Sequence, residues 1–186
     1  MKKNILLTPL LLAFSFCVHA QTAKYFTRTA HVDFFSHTPV EDIKADNNQV
    51  SAILDIGTGD FAFTCLINSF EFEKKLMQEH FNENYMESDK YPKSIFKGKI
   101  KDLTKVNFTK DGEYPVVVTG NLTMKDKTNA VEVPGTIIVK GGKITARSSF
   151  KLRPEDYNVQ VPSLVKDKIA KELEINVEAL LEPLNK

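Results

Sequence analysis

Beyond residue 20, the side chains best suited to holding a metal ion are His31, His37, His80 and Cys65. Their separations match none of the compact spacings that make a zinc site legible in a sequence. The residues around them predict that His31 and His37 point away from the buried face of a strand and that His80 lies on a helix. No metal ligand and no acid–base role is assigned to any of them. Nucleophilic catalysis needs a nucleophile, a base and an orienting group in contact, and no Gly-x-Ser-x-Gly elbow or comparable framework is present to place them. The glycines of Gly57-Thr58-Gly59-Asp60 suggest a phosphate loop, but the segment lacks the Gly-Lys-Ser/Thr ending and lies between two strand patterns. It reads as a hairpin turn. The sequence announces no catalytic residue, no metal and no cofactor.

The chain opens with Met1-Lys2-Lys3, an apolar run from Ile5 to Val18, and the small-residue site Val18-His19-Ala20. This is the pattern of a secretory leader over residues 1–20, which predicts a periplasmic or secreted product spanning 21–186. Lipid attachment at Cys17 is disfavoured by Phe16, since processing wants a small residue there. Cleavage removes two lysines from a formal net charge of +1, so no basic field remains to recruit nucleic acid. It also leaves Cys65 as the one cysteine, which excludes an intramolecular disulfide and puts the burden of stability on a packed core.

The elements of that core are written most clearly after Tyr114. Apolar residues alternate as Tyr114, Val116, Val118, Leu122 and Met124, then Val131, Val133, Ile137 and Val139. The pattern continues with Ile144, Ala146 and Phe150, then Leu173, Ile175, Val177 and Ala179. Period two means strands with one buried face. Lys125–Asn129 and Gly141-Gly142 join them as hairpin turns. Earlier strands are expected at Tyr25–Arg28, His31–Ser36, Val50–Ile56, Phe61–Ser69, Ile95–Ile100 and Val106–Thr109. Many strands with short turns argue an all-β antiparallel barrel or sandwich, and a barrel also removes exposed edges. With no linker or repeat, one domain is expected.

Two stretches break the strand pattern. From Glu73 to Tyr85, Met77, Phe81 and Tyr85 recur every four residues, which predicts a helix. The segment Glu73–Tyr91 is expected to cover one end of the barrel with those side chains turned inward, the alternative being that they complete the core. A second, shorter helix is expected over Leu164–Glu172 after Pro162-Ser163. The alternation assigns Phe34, Phe96, Phe108, Val116, Val118, Leu122, Ile137, Ile144, Phe150 and Ile175 to the barrel interior, with Lys97, Lys99 and Lys143 on the wet face.

The stretch His80–Ile100, with Lys90-Tyr91-Pro92 leading into a strand centred on Phe96, resembles the hallmark segment of the YceI-like family. Val118-Thr119-Gly120-Asn121-Leu122-Thr123-Met124 and Phe150-Lys151-Leu152-Arg153-Pro154-Glu155-Asp156-Tyr157 resemble two further segments of the same family. Where that family often carries Ser-Ile-Asp-Thr-Gly followed by Arg-Asp, this chain has Ile67-Asn68-Ser69-Phe70-Glu71-Phe72. The resemblance implies a lipocalin-like barrel of about eight strands with one or two short helices. It also implies a long apolar ligand of polyisoprenoid type held inside the barrel, where the alternation places the ten interior residues above and the four-residue stripe places Phe81 and Tyr85. It does not imply catalysis. Transient membrane contact would follow from such a ligand. Two other classes remain open at this stage. An exported adhesion or assembly module would show a filled core and an exposed apolar patch, and a hydrolase would show convergent polar groups in a cleft.

Overall fold

The computed structural model describes residues 24–184; the leader expected over residues 1–20 lies outside them. Nine strands follow one another: β1 (Lys24–His37), β2 (Asp42–Asp55), β3 (Asp60–Leu66), β4 (Glu71–Phe72), β5 (Lys93–Ile100), β6 (Gly112–Met124), β7 (Lys127–Lys140), β8 (Lys143–Leu152) and β9 (Leu173–Pro183). They form one antiparallel sheet in the order β1-β9-β8-β7-β6-β5-β3-β2-β4, and β1 also pairs with β2. That last pairing closes eight strands into a barrel, with β4 appended to β2.

The two early segments Tyr25–Arg28 and His31–Ser36 are a single strand. Register shifts between Thr27 and Ala30, and again between Ala30 and Val32, mark bulges. A one-residue slip moves every later side chain to the other face, so Tyr25 and the run Ala30, Val32, Phe34 and Ser36 point inward on opposite parities. Broken alternation therefore imitates two strands.

Three further expectations are corrected. Val106–Thr109 is not a strand: a 3-10 turn at Leu103–Lys105 precedes it, and only Val106 is buried. Leu164–Glu172 forms a 3-10 turn, Ser163–Lys168, in place of an α-helix. The segment after Glu73 is α1 (Lys75–His80) followed by a π-helical turn over Phe81–Tyr85, in which Met86 N–H donates to Phe81 O at 2.9 Å. Residues spaced by four drift around an α-helix of 3.6 residues per turn, and the wider turn keeps Met77, Phe81 and Tyr85 on one side.

The turns follow residue chemistry. Gly141 and Gly142 both have positive φ, 57° and 77°, as a two-residue hairpin of this hand requires. β6 and β7 are joined by Lys125-Asp126 alone, shorter than the expected loop, and Lys125 takes the left-handed conformation.

The barrel is solid at one end and hollow at the other. Leu54, Ile100, Val139, Ile144 and Leu181 pack where β2 meets β3, β7 meets β8 and β9 ends. Gly98 and Gly120 face each other across β5 and β6, and a Cβ on Gly98 would stand 2.4 Å from the Phe96 ring and from Thr119 O. Only glycine lets that ring lie across the pair.

At the hollow end β7 and β8 separate. Their pairing runs only from Lys140↔Lys143 to Thr136↔Arg147. Pro134, just beyond, has no N–H to extend the ladder, and its carbonyl instead accepts Ser148 Oγ at 2.6 Å. The β8–β9 connection covers the parted strands. Asn129 Nδ2 donates to Asp156 O at 2.8 Å, Asn158 Nδ2 to Asp126 Oδ1 at 2.9 Å, and Ala170 N–H to Ser36 Oγ at 2.9 Å.

Candidate functional site

The hollow end encloses a cavity of about 580 Å³ lined almost wholly by apolar side chains. That is within the range of cavities that hold one small or medium organic molecule. Of the residues assigned to the interior, Phe34, Phe96, Val116, Val118, Leu122, Ile137, Phe150 and Ile175 line it, as do Phe81, Tyr85 and Met77 of the covering segment. Two do not. Ile144 is fully buried in the solid end, beside Val139 and Leu181, because β8 starts there immediately after the glycine turn. Phe108 packs half-buried against the same core from the loop that replaces the expected strand.

Sequence reasoning missed other walls of the cavity. Phe63 and Cys65 continue the alternation of Phe61 along β3, a signal that was present in the expected strand. Phe70 and Phe72 lie on and beside the two-residue β4, too short to show any period. These last two matter most for the cover. The Phe81 ring lies 5.7 Å from Phe34, 5.5 Å from Phe70 and 5.1 Å from Phe72, so one residue of the π turn is seated in an aromatic socket on the wall. On the other side of the turn, Phe81 and Tyr85 pack against Ile67, Met86, Tyr157 and Val159. No residue of α1 or of the π turn is itself fully buried.

A polar clasp holds the end of this cover. Lys125 Nζ donates to Tyr85 O at 3.1 Å and pairs with the Glu87 carboxylate, while its side chain is only 8% exposed. Hydrogen bonding by Lys125 holds the Glu87 carboxyl below the usual carboxylate range, and burial pushes the Tyr85 phenol up.

Charge enters the cavity lining chiefly at the mouth. Glu41 on the β1–β2 connection pairs with Lys74 at 3.3 Å and with Lys168 at 3.9 Å, tying three segments together, and His80 of α1 also lines the cavity. Deeper in, the Cys65 thiol is pushed up to about 12 by burial, so it stays protonated and inert as a nucleophile. Fully buried Asn47 donates to Leu66 O at 2.7 Å and to Cys65 Sγ at 3.3 Å. This arrangement can enclose an apolar molecule and meet a polar group at its mouth.

Histidines 31 and 37 are on the outer surface, as expected, each beside a carboxylate: His37 with Asp42 at 2.6 Å, and His31 with Asp33 and Asp46.

Three solved structures share this architecture. A polyisoprenoid binding domain from Saccharophagus degradans, implicated in plant cell wall breakdown, superposes with a TM-score of 0.77 at 11% identity, covering 87% of this chain and 99% of that one. BcnA of Burkholderia cenocepacia gives 0.67 at 20% identity, covering 82% and 95%. The Campylobacter jejuni YCEI protein gives 0.61 at 17% identity, covering 81% and 90%. At these identities the likeness is one of fold. A search of curated proteins finds no match to this chain. Residues 24–181 match the YceI-like domain, most of the barrel described above, and the chain belongs to that family.

Proposed function

We propose that this protein holds a long-chain apolar lipid of polyisoprenoid type inside the barrel and stores or carries it through the aqueous space outside the cytoplasmic membrane. The observation that carries this reading is the apolar, covered cavity. At about 30 Å³ per non-hydrogen atom its 580 Å³ takes on the order of 20 such atoms, or about four prenyl units. Removing about 20 carbons from water at ~0.8 kcal/mol each gives roughly 16 kcal/mol gross, near the practical ceiling for noncovalent binding. A membrane offers the same lipid a comparable refuge, so the difference between barrel and bilayer governs transfer. The polyisoprenoid-binding neighbour of the same fold supports the ligand class.

The mouth supports brief contact with a bilayer. Val40, Leu76 and Leu164 are 61%, 62% and 94% exposed, and each lies within four residues of a member of the Glu41–Lys74–Lys168 cluster. Large exposed apolar side chains beside the charged mouth of an apolar cavity suit a membrane surface better than water. The work assigned to the site is binding without chemistry, since its thiol is held protonated and its charged groups pair with one another. An assembly module with a filled core would not need such a cavity.

Organic extraction and mass spectrometry of protein purified from its native compartment test the proposal. A long-chain species at near one per chain is the expected result. A chain that emerges empty, and that fails to take a fluorescent long-chain acyl probe from vesicles, removes the lipid-holding reading. Cell fractionation of the intact gene product checks the compartment.

A further inference from the structure

The outer wall of the barrel brings two carboxylates face to face. Asp33 of β1 and Asp46 of β2 are direct cross-strand partners, and like charges so placed cost stability unless a cation lies with them. His31 stands two residues before Asp33 on the same face of the strand. Its Nε2 is 3.3 Å from Asp33 Oδ2 and 3.4 Å from Asp46 Oδ1. Those separations are long for charge-assisted N–H···O bonds, which run about 2.7–2.9 Å. The two separations from His31 match the spacing of neighbouring ligands around one tetrahedral ion, because bonds of about 2.0–2.1 Å place ligand atoms about 3.3–3.4 Å apart. All three ligand atoms lie within 4.8 Å of one another.

The other ring nitrogen is already committed. The register slip between Ala30 and Val32 marks a bulge where β2 passes Asn48, and Asn48 Oδ1 accepts the Nδ1–H of His31 at 2.9 Å. A neutral imidazole held in this tautomer turns the Nε2 lone pair toward the two carboxylates. That is how a metal-ligating histidine is commonly oriented by a neighbour on its far nitrogen. Asn176 of β9 donates to Asp33 Oδ1 at 3.1 Å, leaving Oδ2 free to ligate. Two cations face the cluster. Lys44 Nζ, on a side chain 59% exposed, lies 3.2 Å from Asp46 Oδ1 and can swing away, while Arg147 is held by Glu178, the cross-strand partner of His31.

We propose that His31 Nε2, Asp33 Oδ2 and Asp46 Oδ1 form a binding site for a divalent transition-metal ion, with zinc the best fit, and that Asn48 positions the imidazole. The site is separate from the lipid cavity and does not depend on it. The His31 and Asp46 side chains are 36% and 38% exposed, which leaves a fourth position open to water.

The untagged mature protein, washed with EDTA, is titrated with zinc chloride against a chromophoric chelator. One equivalent per chain is expected. His31→Ala and the double variant Asp33→Asn/Asp46→Asn should each weaken zinc binding tenfold or more. The double variant should also melt no lower than the metal-free parent, since it removes a like-charge pair. Asn48→Ala should weaken binding about tenfold with the metal-free melting temperature unchanged, and Asn48→Asp should restore it. His37→Ala, which removes the other surface His–Asp pair, should bind like the parent. Equal zinc binding by parent and His31→Ala, loss on His37→Ala, or no binding by the parent overturns the site.

Discussion

Replacing Phe81 by alanine tests how the barrel is closed. The ring is half-buried and meets three aromatic rings of the wall at 5.1, 5.5 and 5.7 Å. A fully buried Phe→Ala change costs about 3–5 kcal/mol, and a half-buried ring forfeits roughly half of that, so ~2 kcal/mol is expected. That loss falls on the closed state of the cover, because the socket residues Phe34 and Phe70 stay in the wall when the π turn lifts. A closure equilibrium weakened by ~2 kcal/mol raises the open population about 30-fold. The release rate of a fluorescent long-chain acyl probe into acceptor vesicles should rise by a similar factor, while the urea midpoint falls modestly. Phe70→Ala is the control, since that residue is 7% exposed and belongs to the wall. It should cost the full buried-ring amount. A large midpoint drop for Phe81→Ala with an unchanged release rate would refute the cover and make Phe81 ordinary core.

Three further outcomes follow from named contacts. Val118→Trp, placed against the cavity, should abolish probe binding while leaving the protein folded, as judged by circular dichroism and a binding titration. Gly120→Ala sets a Cβ 2.5 Å from Gly98 Cα and Lys97 O, a backbone clash that no rotamer relieves, and should cost at least about 1–3 kcal/mol in urea unfolding. The clasp should respond to acid. The Glu87 carboxyl titrates below its unfolded value, so its contribution is complete above the ordinary carboxylate range, about pH 4.3, and is lost as pH falls through the lower folded value. Probe release should therefore accelerate on acidification below about pH 4, and Glu87→Gln should release faster at neutral pH with that acid limb flattened.

The antiparallel all-β class was legible in the sequence because alternation is a local property, whereas closure into a barrel rests on the pairing of β1 with β2. From Tyr114 to Ala179 each strand keeps one parity, and the positions assigned to the interior from that parity do point inward. Met77, Phe81 and Tyr85 were likewise readable as one inward stripe, although not the π turn that aligns them. Where a bulge changes parity, as in β1, or where an element has two residues, as in β4, local pattern carries no information, and Phe70 and Phe72 went unseen.

Residue types and spacing alone determined that this chain builds an all-β antiparallel barrel or sandwich with one helical break and no motif for catalysis, and the family resemblance selected the barrel. Which interior residues pack solid and which enclose space is a different kind of fact. Ile144 and Phe150 share one strand and one face, yet the first is core and the second lines a cavity, because only the former lies where neighbouring strands close tightly. Pairing register also decided the outer wall. His31, Asp33 and Asp46 show no ligand spacing along the chain and become a cluster only when β1 lies against β2, since contacts across a sheet join residues whose distance in sequence says nothing about their distance in space.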